Sequence, residues 1–377
     1  MRERRYEFMK RNIAVIAVFS CLSALLSTVQ PASGVSCTPQ SELGSAERDG
    51  MVAAAKRLGL LVEAGNVDGV RAITAPSVLA QFAGIAVGIR NVAPLTSGAA
   101  LTVVNLYGLD ASDLTSADEQ TQFFCGGLPT SEVVFSIPQI PPGKYALAVL
   151  HATGVVQPQQ ISFILQATPP PAPAATPQPE NPAQPGIAAP PNAPPSASPQ
   201  TAPIPAAADT WKLAGMFVRP LTWGGQDGLW YWTRARAFAK SKQNWNAYFY
   251  YQTAETLLVP VDFMSSPNLE RLIKEQTSVA PPALPAAQPM TLSFHGKTYP
   301  VTALNTEGSL GGLDLVITYQ APDNSDPVAA RTRNIEVMQA MLSQHPELRE
   351  AFHGIWVYSN ATSQQPFANE LPMGQIP

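Results

Sequence analysis

The sequence predicts an α+β protein, and two observations carry the reading. Apolar residues recur at helical spacing in the first hundred positions, then give way to β-branched apolar runs broken by turn residues; near the other end three strand patterns, a capped helix and one more strand succeed each other. Helices and strands are segregated along the chain, so antiparallel sheets with helices on one face are expected.

The first element is an export signal. A basic cluster (Arg2, Arg4, Arg5, Lys10, Arg11) runs into an apolar segment at 13–26, followed by a turn-prone stretch ending in the small residues Ala32, Ser33 and Gly34. Residues 1–34 are therefore read as a signal peptide, with the mature chain starting near Val35. Two alternatives stand beside simple cleavage. Val18-Phe19-Ser20-Cys21 resembles a lipobox, with Cys21 as the lipidated residue, and the apolar run at 13–29 would serve as an uncleaved anchor. All three place the body of the protein beyond the cytoplasm, with the membrane touched only through this segment.

Composition narrows the partners. The 377 residues carry a net charge of −4, only 13% are charged and 38 are proline, which excludes nucleic-acid binding by electrostatic field. With 45% hydrophobic residues there is material for real cores, under a surface of weak self-repulsion that favours association. Cysteine usage agrees with export. Cys21 lies in the signal, leaving Cys37 and Cys125, and two thiols in an oxidising compartment are expected to pair. Such a bridge would contribute about 4 kcal/mol by the chain-entropy model.

In chain order, Leu43, Ala46, Met51, Ala54, Leu58 and Leu61 predict a helix over 41–61, a second short helix covers 68–73, and Pro76 opens a third through Val78, Leu79 and Phe82. After Pro94 the pattern becomes strand-like at 100–106, 122–125 and 132–137; a Pro141-Pro142-Gly143 turn feeds 145–151, and 161–165 follows. Residues 168–208 are Pro, Ala, Gln, Ser, Thr and Asn with almost no charge. They read as extended polyproline-like, disordered chain, either a linker between domains or a loop out of one. Trp211-Lys212-Leu213-Ala214-Gly215 then starts a strand over 211–218, stopped by Pro220.

Helices carrying Gly65-Asn66-Val67-Asp68-Gly69-Val70-Arg71-Ala72, successive antiparallel strands and a final Trp-Lys-Leu-Ala-Gly strand resemble the cone-shaped NTF2-like superfamily. The resemblance implies that 35–167 together with 209–222 make one α+β domain, that 211–218 pairs with the strand before it, and that 168–208 is an oversized loop. Closure entropy grows only logarithmically with loop length, so the insertion is cheap. Within 229–260, Tyr231, Ala235, Phe238, Ala247, Tyr251 and Ala254 fall at the large and small positions of a tetratricopeptide repeat, so 223–280 resembles a single TPR-like helical hairpin.

A short helix at 267–276 and a Pro/Ala-rich passage at 280–289 lead into the last unit, 287–377. Strands at 290–294 and 298–303 flank the His295-Gly296-Lys297 turn, a third covers 313–319, Asp326-Pro327 caps a helix, and 355–358 is the final strand, giving a small β-β-β-α-β unit.

No catalytic residue, cofactor or metal is assigned. His151, His295, His345 and His353 form no metal-type spacing, and no nucleophile elbow, Walker loop or dinucleotide fingerprint is present. Gly308-Ser309-Leu310-Gly311-Gly312 leads into a strand and reads as a flexible loop. The binding candidates are the aromatics Trp223, Trp230, Trp232, Trp245 and Tyr248, which serve core packing, a protein interface or a sugar face; Trp230 and Trp232 cannot both point inward. The expected function is that of a non-enzymatic exported bacterial protein acting on a protein partner. The alternative is an exported small-molecule or glycan-binding protein using the cone mouth or the aromatic hairpin.

Overall fold

Two five-stranded sheets organise the computed structural model, which describes residues 34–117, 119–127, 132–168, 210–309 and 311–377. Residues 1–34, the expected signal segment with Cys21, and the tract at 168–208 lie outside these residues, apart from Gly34 and Thr168. β1 (Ser36–Pro39) precedes α1 (Ser45–Glu63), α2 (Val67–Ala72) and, after a 3-10 turn at Pro76–Gln81, α3 (Phe82–Thr96). Strands β2 (Ala100–Asp110), β3 (Thr121–Cys125), β4 (Val133–Ile137), β5 (Lys144–Thr153), β6 (Gln159–Ala167) and β7 (Trp211–Pro220) follow. Next come the two-residue strands β8 (Thr222–Trp223) and β9 (Gln226–Asp227), then α4 (Gly228–Lys240), α5 (Asn244–Leu258), β10 (Met264–Ser265) and α6 (Pro267–Ser278). The chain ends in β11 (Met290–Phe294), β12 (Lys297–Ser309), β13 (Gly312–Gln320), α7 (Pro327–Gln344), α8 (Leu348–Ala351), β14 (Gly354–Asn360) and β15 (Phe367–Pro372). The fold is of the mixed α+β class.

The first sheet has the order β1-β2-β5-β6-β7 and is antiparallel throughout. Both its faces are covered, which explains why β5 and β6 read as near-continuous apolar runs. Ala146, Ala148, Leu150 and Phe163 face the helices, meeting Met51, Leu58 and Ile89 of α1 and α3. Leu147 and Val149 face the opposite way, toward Phe123 and Phe135 of a small sheet ordered β10-β4-β3. The Cys37–Cys125 disulfide, with Cα atoms 5.0 Å apart, joins β1 of the large sheet to β3 of the small one.

Strand β7 pairs with β6 from Gln159↔Pro220 to Ala167↔Trp211. The residues that flank the tract also meet: the Thr168 N–H donates to the Thr210 carbonyl at 2.7 Å. A register shift beside Ala214 inverts the alternation of β7. Leu213 before it and Met216 after it therefore both turn to the helix side, while Phe217 reaches the other core.

The second sheet, β11-β12-β13-β14-β15, is antiparallel except for the parallel pair β13–β14, whose crossover contains α7. One apolar core spans the α4–α5 hairpin and this sheet: Tyr231, Ala235, Phe238, Ala247, Tyr251 and Ala254 are all buried in it alongside Leu315, Ile317, Val337 and Ile355. Polar ties reinforce the junction, the Tyr250 hydroxyl donating to the Ala351 carbonyl at 2.6 Å and Asn246 Nδ2 to the Glu347 carbonyl at 2.8 Å.

Several expectations are corrected. The third helix continues past Pro94 to Thr96, because burial of Ile89 and Val92 against the sheet outweighs the one hydrogen bond that proline forfeits in the last turns. The C-terminal unit does not end at Tyr358, and β-β-β-α-β becomes a longer order: α8 precedes β14, and β15 adds a fifth strand along β14. Gly308 and Ser309 are not loop but the end of β12, paired with Leu313 and Gly312 in a tight hairpin. By length and composition 76–96 could cross a membrane; Phe82, Ala86, Ile89 and Val92 pack in the core with the sheet, while most of the segment is not buried.

Cleavage at a protease site inserted near position 190 is expected to leave two fragments that co-elute in native buffer and separate only in denaturant, because β7 is held by β6. Fragments that part while folded would contradict that pairing. Replacing Cys37 and Cys125 together by Ser should cost about 2–4 kcal/mol, read as a lower urea midpoint that is unchanged by reductant in the variant.

Candidate functional site: the aromatic hairpin and its cleft

Helix α4 starts at Asp227, whose Oδ1 accepts the Trp230 backbone N–H at 2.8 Å. This cap fixes which way the first turn points. Leu229 is 59% exposed and Trp230 41%, while the next residue, Tyr231, is buried with its hydroxyl on the Trp223 carbonyl at 3.0 Å. Trp230 stands edge-on to Tyr231, with ring centroids 5.0 Å apart, and Tyr250 lies beneath both. Burial raises the Tyr231 and Tyr250 hydroxyls, the latter to about 12, so these rings stay neutral and act as a rigid floor.

Trp232, two residues on, faces α6. Its indole N–H donates to Glu275 Oε2 at 2.8 Å, and the Arg236 guanidinium lies 4.5 Å from its ring. Arg236 also grips Glu275 through Nε and Nη2 at 2.7 and 2.8 Å, and Arg271 Nε adds 3.0 Å. The Arg236 hydrogen bond is the largest influence on Glu275, and with Trp232 and Arg271 it holds the carboxyl down at about 2. Burial pushes Tyr251, beside the same cluster, up to about 12.

Trp245 and Tyr248 belong elsewhere. An antiparallel hairpin puts the first turn of α5 about 18 Å from the first turn of α4, at 1.5 Å per residue. Trp245 is only 8% exposed, packed on Phe249 and 4.2 Å from the His345 ring, whose pKa burial lowers. Tyr248 is half-buried against Phe249. The five aromatic candidates therefore do not converge: Trp230 is presented to solvent, Trp232 belongs to an ionic latch, and Trp245 is core.

Trp223 marks a separate feature, a cleft of about 430 Å³ between the β8–β9 hairpin and the end of β12, with Gln157, Gln159, Glu307 and Ser309 on its walls. Gly224 shapes it: its φ is +53, and a Cβ there would stand 2.7 Å from Gly312 Cα. The helix-facing side of the first sheet is filled by Met51, Leu58, Ile89 and Phe163. Glu307 was not singled out from the sequence, and Ser309 read only as part of a Gly-rich loop. No family model, curated protein or solved structure matches the chain.

Glu275→Gln is expected to cost about 1–2 kcal/mol at pH 7, because three side chains, Trp232, Arg236 and Arg271, lose a charged acceptor. A depressed carboxyl stabilises the fold above the unfolded value of about 4.3 and loses that contribution as pH falls toward 2. The gap between wild type and Glu275→Gln, measured by urea denaturation, should therefore close between roughly pH 4.5 and 2.

Proposed function

We propose that this is a non-enzymatic exported bacterial protein, of the envelope or secreted, that binds a protein partner through the exposed start of α4. The presentation of Leu229 and Trp230 over a buried aromatic floor carries the reading: a tryptophan held rigid by a capped helix can bury large apolar area on a partner at little entropic cost. The Cys37–Cys125 bridge supports an oxidising destination, in keeping with the basic and apolar opening of the chain. The order of helices, antiparallel strands and closing β7 supports an NTF2-like first part, and the α4–α5 pair a TPR-like hairpin. A second reading, small-molecule or glycan binding, is favoured by the Trp223 cleft, where one indole and polar groups from Gln157, Gln159, Glu307 and Ser309 share a volume of about 430 Å³.

A photo-crosslinking residue at Thr233 distinguishes them. In the native cells it should form a discrete adduct with one protein, and Leu229→Ser with Trp230→Ser should abolish the adduct while the chain stays folded, at a cost of about 1–2 kcal/mol for the lost ring pairs. Persistence of the adduct in the double variant removes the patch as anchor; quenching of tryptophan fluorescence by oligosaccharide that Trp223→Ala abolishes would favour the cleft.

A further inference from the structure

Three residues far apart in sequence meet on the second sheet. Asp314 lies on β13, His353 immediately before β14 and Glu370 on β15, and one potential ligand atom from each falls within 4.8 Å of the other two. The register explains the meeting. Asp314 pairs with Gly354, and Trp356, two residues along the same face, pairs with Glu370; Leu313 and Leu315 turn the opposite way into the core.

The carboxylates are poorly provided for. The Asp314 side chain is 1% exposed; Oδ1 meets His353 Nδ1 at 3.1 Å, and Oδ2 is buried with no hydrogen-bond partner among the described residues. The Glu370 carboxylate makes no hydrogen bond or ion pair among them either. Even with a proton on the imidazole, two carboxylates leave excess negative charge, and a buried carboxylate oxygen without a donor is costly. A cation would relieve both.

The backbone keeps the space between these groups free of side chains. A Cβ on Gly354 would stand 2.9 Å from the Leu371 carbonyl oxygen and 3.1 Å from Asp314 Oδ1, with Glu370 Oε1 next at 3.4 Å, and any Cβ on Gly311 would strike the His353 ring. Glycine at 311 and 354 thus lets the imidazole and the carboxylates approach.

We infer that Asp314, His353 and Glu370 bind a divalent transition-metal ion. Bonds of about 2.0–2.2 Å set neighbouring ligand atoms roughly 2.8–3.6 Å apart, from octahedral to tetrahedral angles, and the Nδ1 to Oδ1 separation of 3.1 Å lies in that range. Glu370, half-exposed on an edge strand, has room to close the remaining distance. One imidazole nitrogen with two carboxylates suits zinc or manganese, whereas calcium and magnesium prefer oxygen ligands alone. Three protein ligands leave a coordination position open.

The test is calorimetric titration of chelator-stripped mature protein with Zn²⁺. Wild type should take up one ion per chain with a rise in melting temperature, and Glu370→Gln and His353→Gln should each weaken binding at least about tenfold. His295→Gln should bind as wild type, and circular dichroism of the stripped variants checks that they fold. Absence of stoichiometric uptake by wild type at tens of micromolar Zn²⁺, or uptake unchanged in both Glu370→Gln and His353→Gln, would overturn the assignment.

Discussion

The pairing of β7 with β6 is the constraint on which the rest of this structure depends. Strand β7 closes the first sheet, with Leu213 buried under the helices and Phe217 in the opposite core. It is also gripped from its other side: the Leu213 N–H donates to the Ile73 carbonyl, and its carbonyl accepts from Ala75. Everything after Pro220 is launched from this fixed strand. The β8–β9 turn and α4 follow within a few residues, so the orientation of Leu229 and Trp230 descends from the register of β7. The dependence runs back as well, because Val261 and Phe263, which follow the hairpin, return to fill the core beneath Phe135 and Phe217. A chain that leaves a core and later completes it favours cooperative folding over independent halves.

The bulge beside Ala214 shows how one residue serves two cores. Without it, strict alternation would send Met216 away from the helices and Phe217 toward them. With it, the first half of β7 pairs its apolar residues with the helix layer, and the second half serves both layers. A similar shift between Val103 and Asn105 lets Val103 and Leu106 both face the helices, with Val104 and Tyr107 turned to the small sheet. The two bulges occur in β2 and β7, which lie on either side of the central pair β5–β6.

What was legible in the sequence follows from the range of the interactions involved. Helix α7 was readable because Asp326 and Pro327 act within one turn, and β5 because its apolar run is buried on both faces. Strand β15 escaped notice because Phe367-Ala-Asn-Glu-Leu-Pro buries little, Leu371 being its contact with the core; β10 did because two residues carry no period. The same logic applies to the site. Helical geometry alone requires that Trp230 and Trp232 point apart, but which one faces solvent is decided by Glu275 on α6, a contact 43 residues away.

The cluster of Asp314, His353 and Glu370 lies further still from sequence reading, and for a topological reason. Neighbouring strands β13 and β14 are parallel, so the chain must cross over through α7 before His353 can stand beside Asp314. Only after β14 is laid down does β15 return antiparallel and bring Glu370 to the same face. No fixed spacing can encode a set assembled by one crossover and one hairpin, and each member alone looks like an ordinary strand-end polar residue. Local cues remain at the glycines. Gly311 and Gly312 read as loop and Gly354 as nothing in particular, yet the packing of His353 against the first two and of Asp314 against the third is what leaves room for the three side chains to converge. Glycines bordering a strand pair, with an acid or a histidine beside them, are therefore a better signal of such a site than the spacing of the ligands themselves.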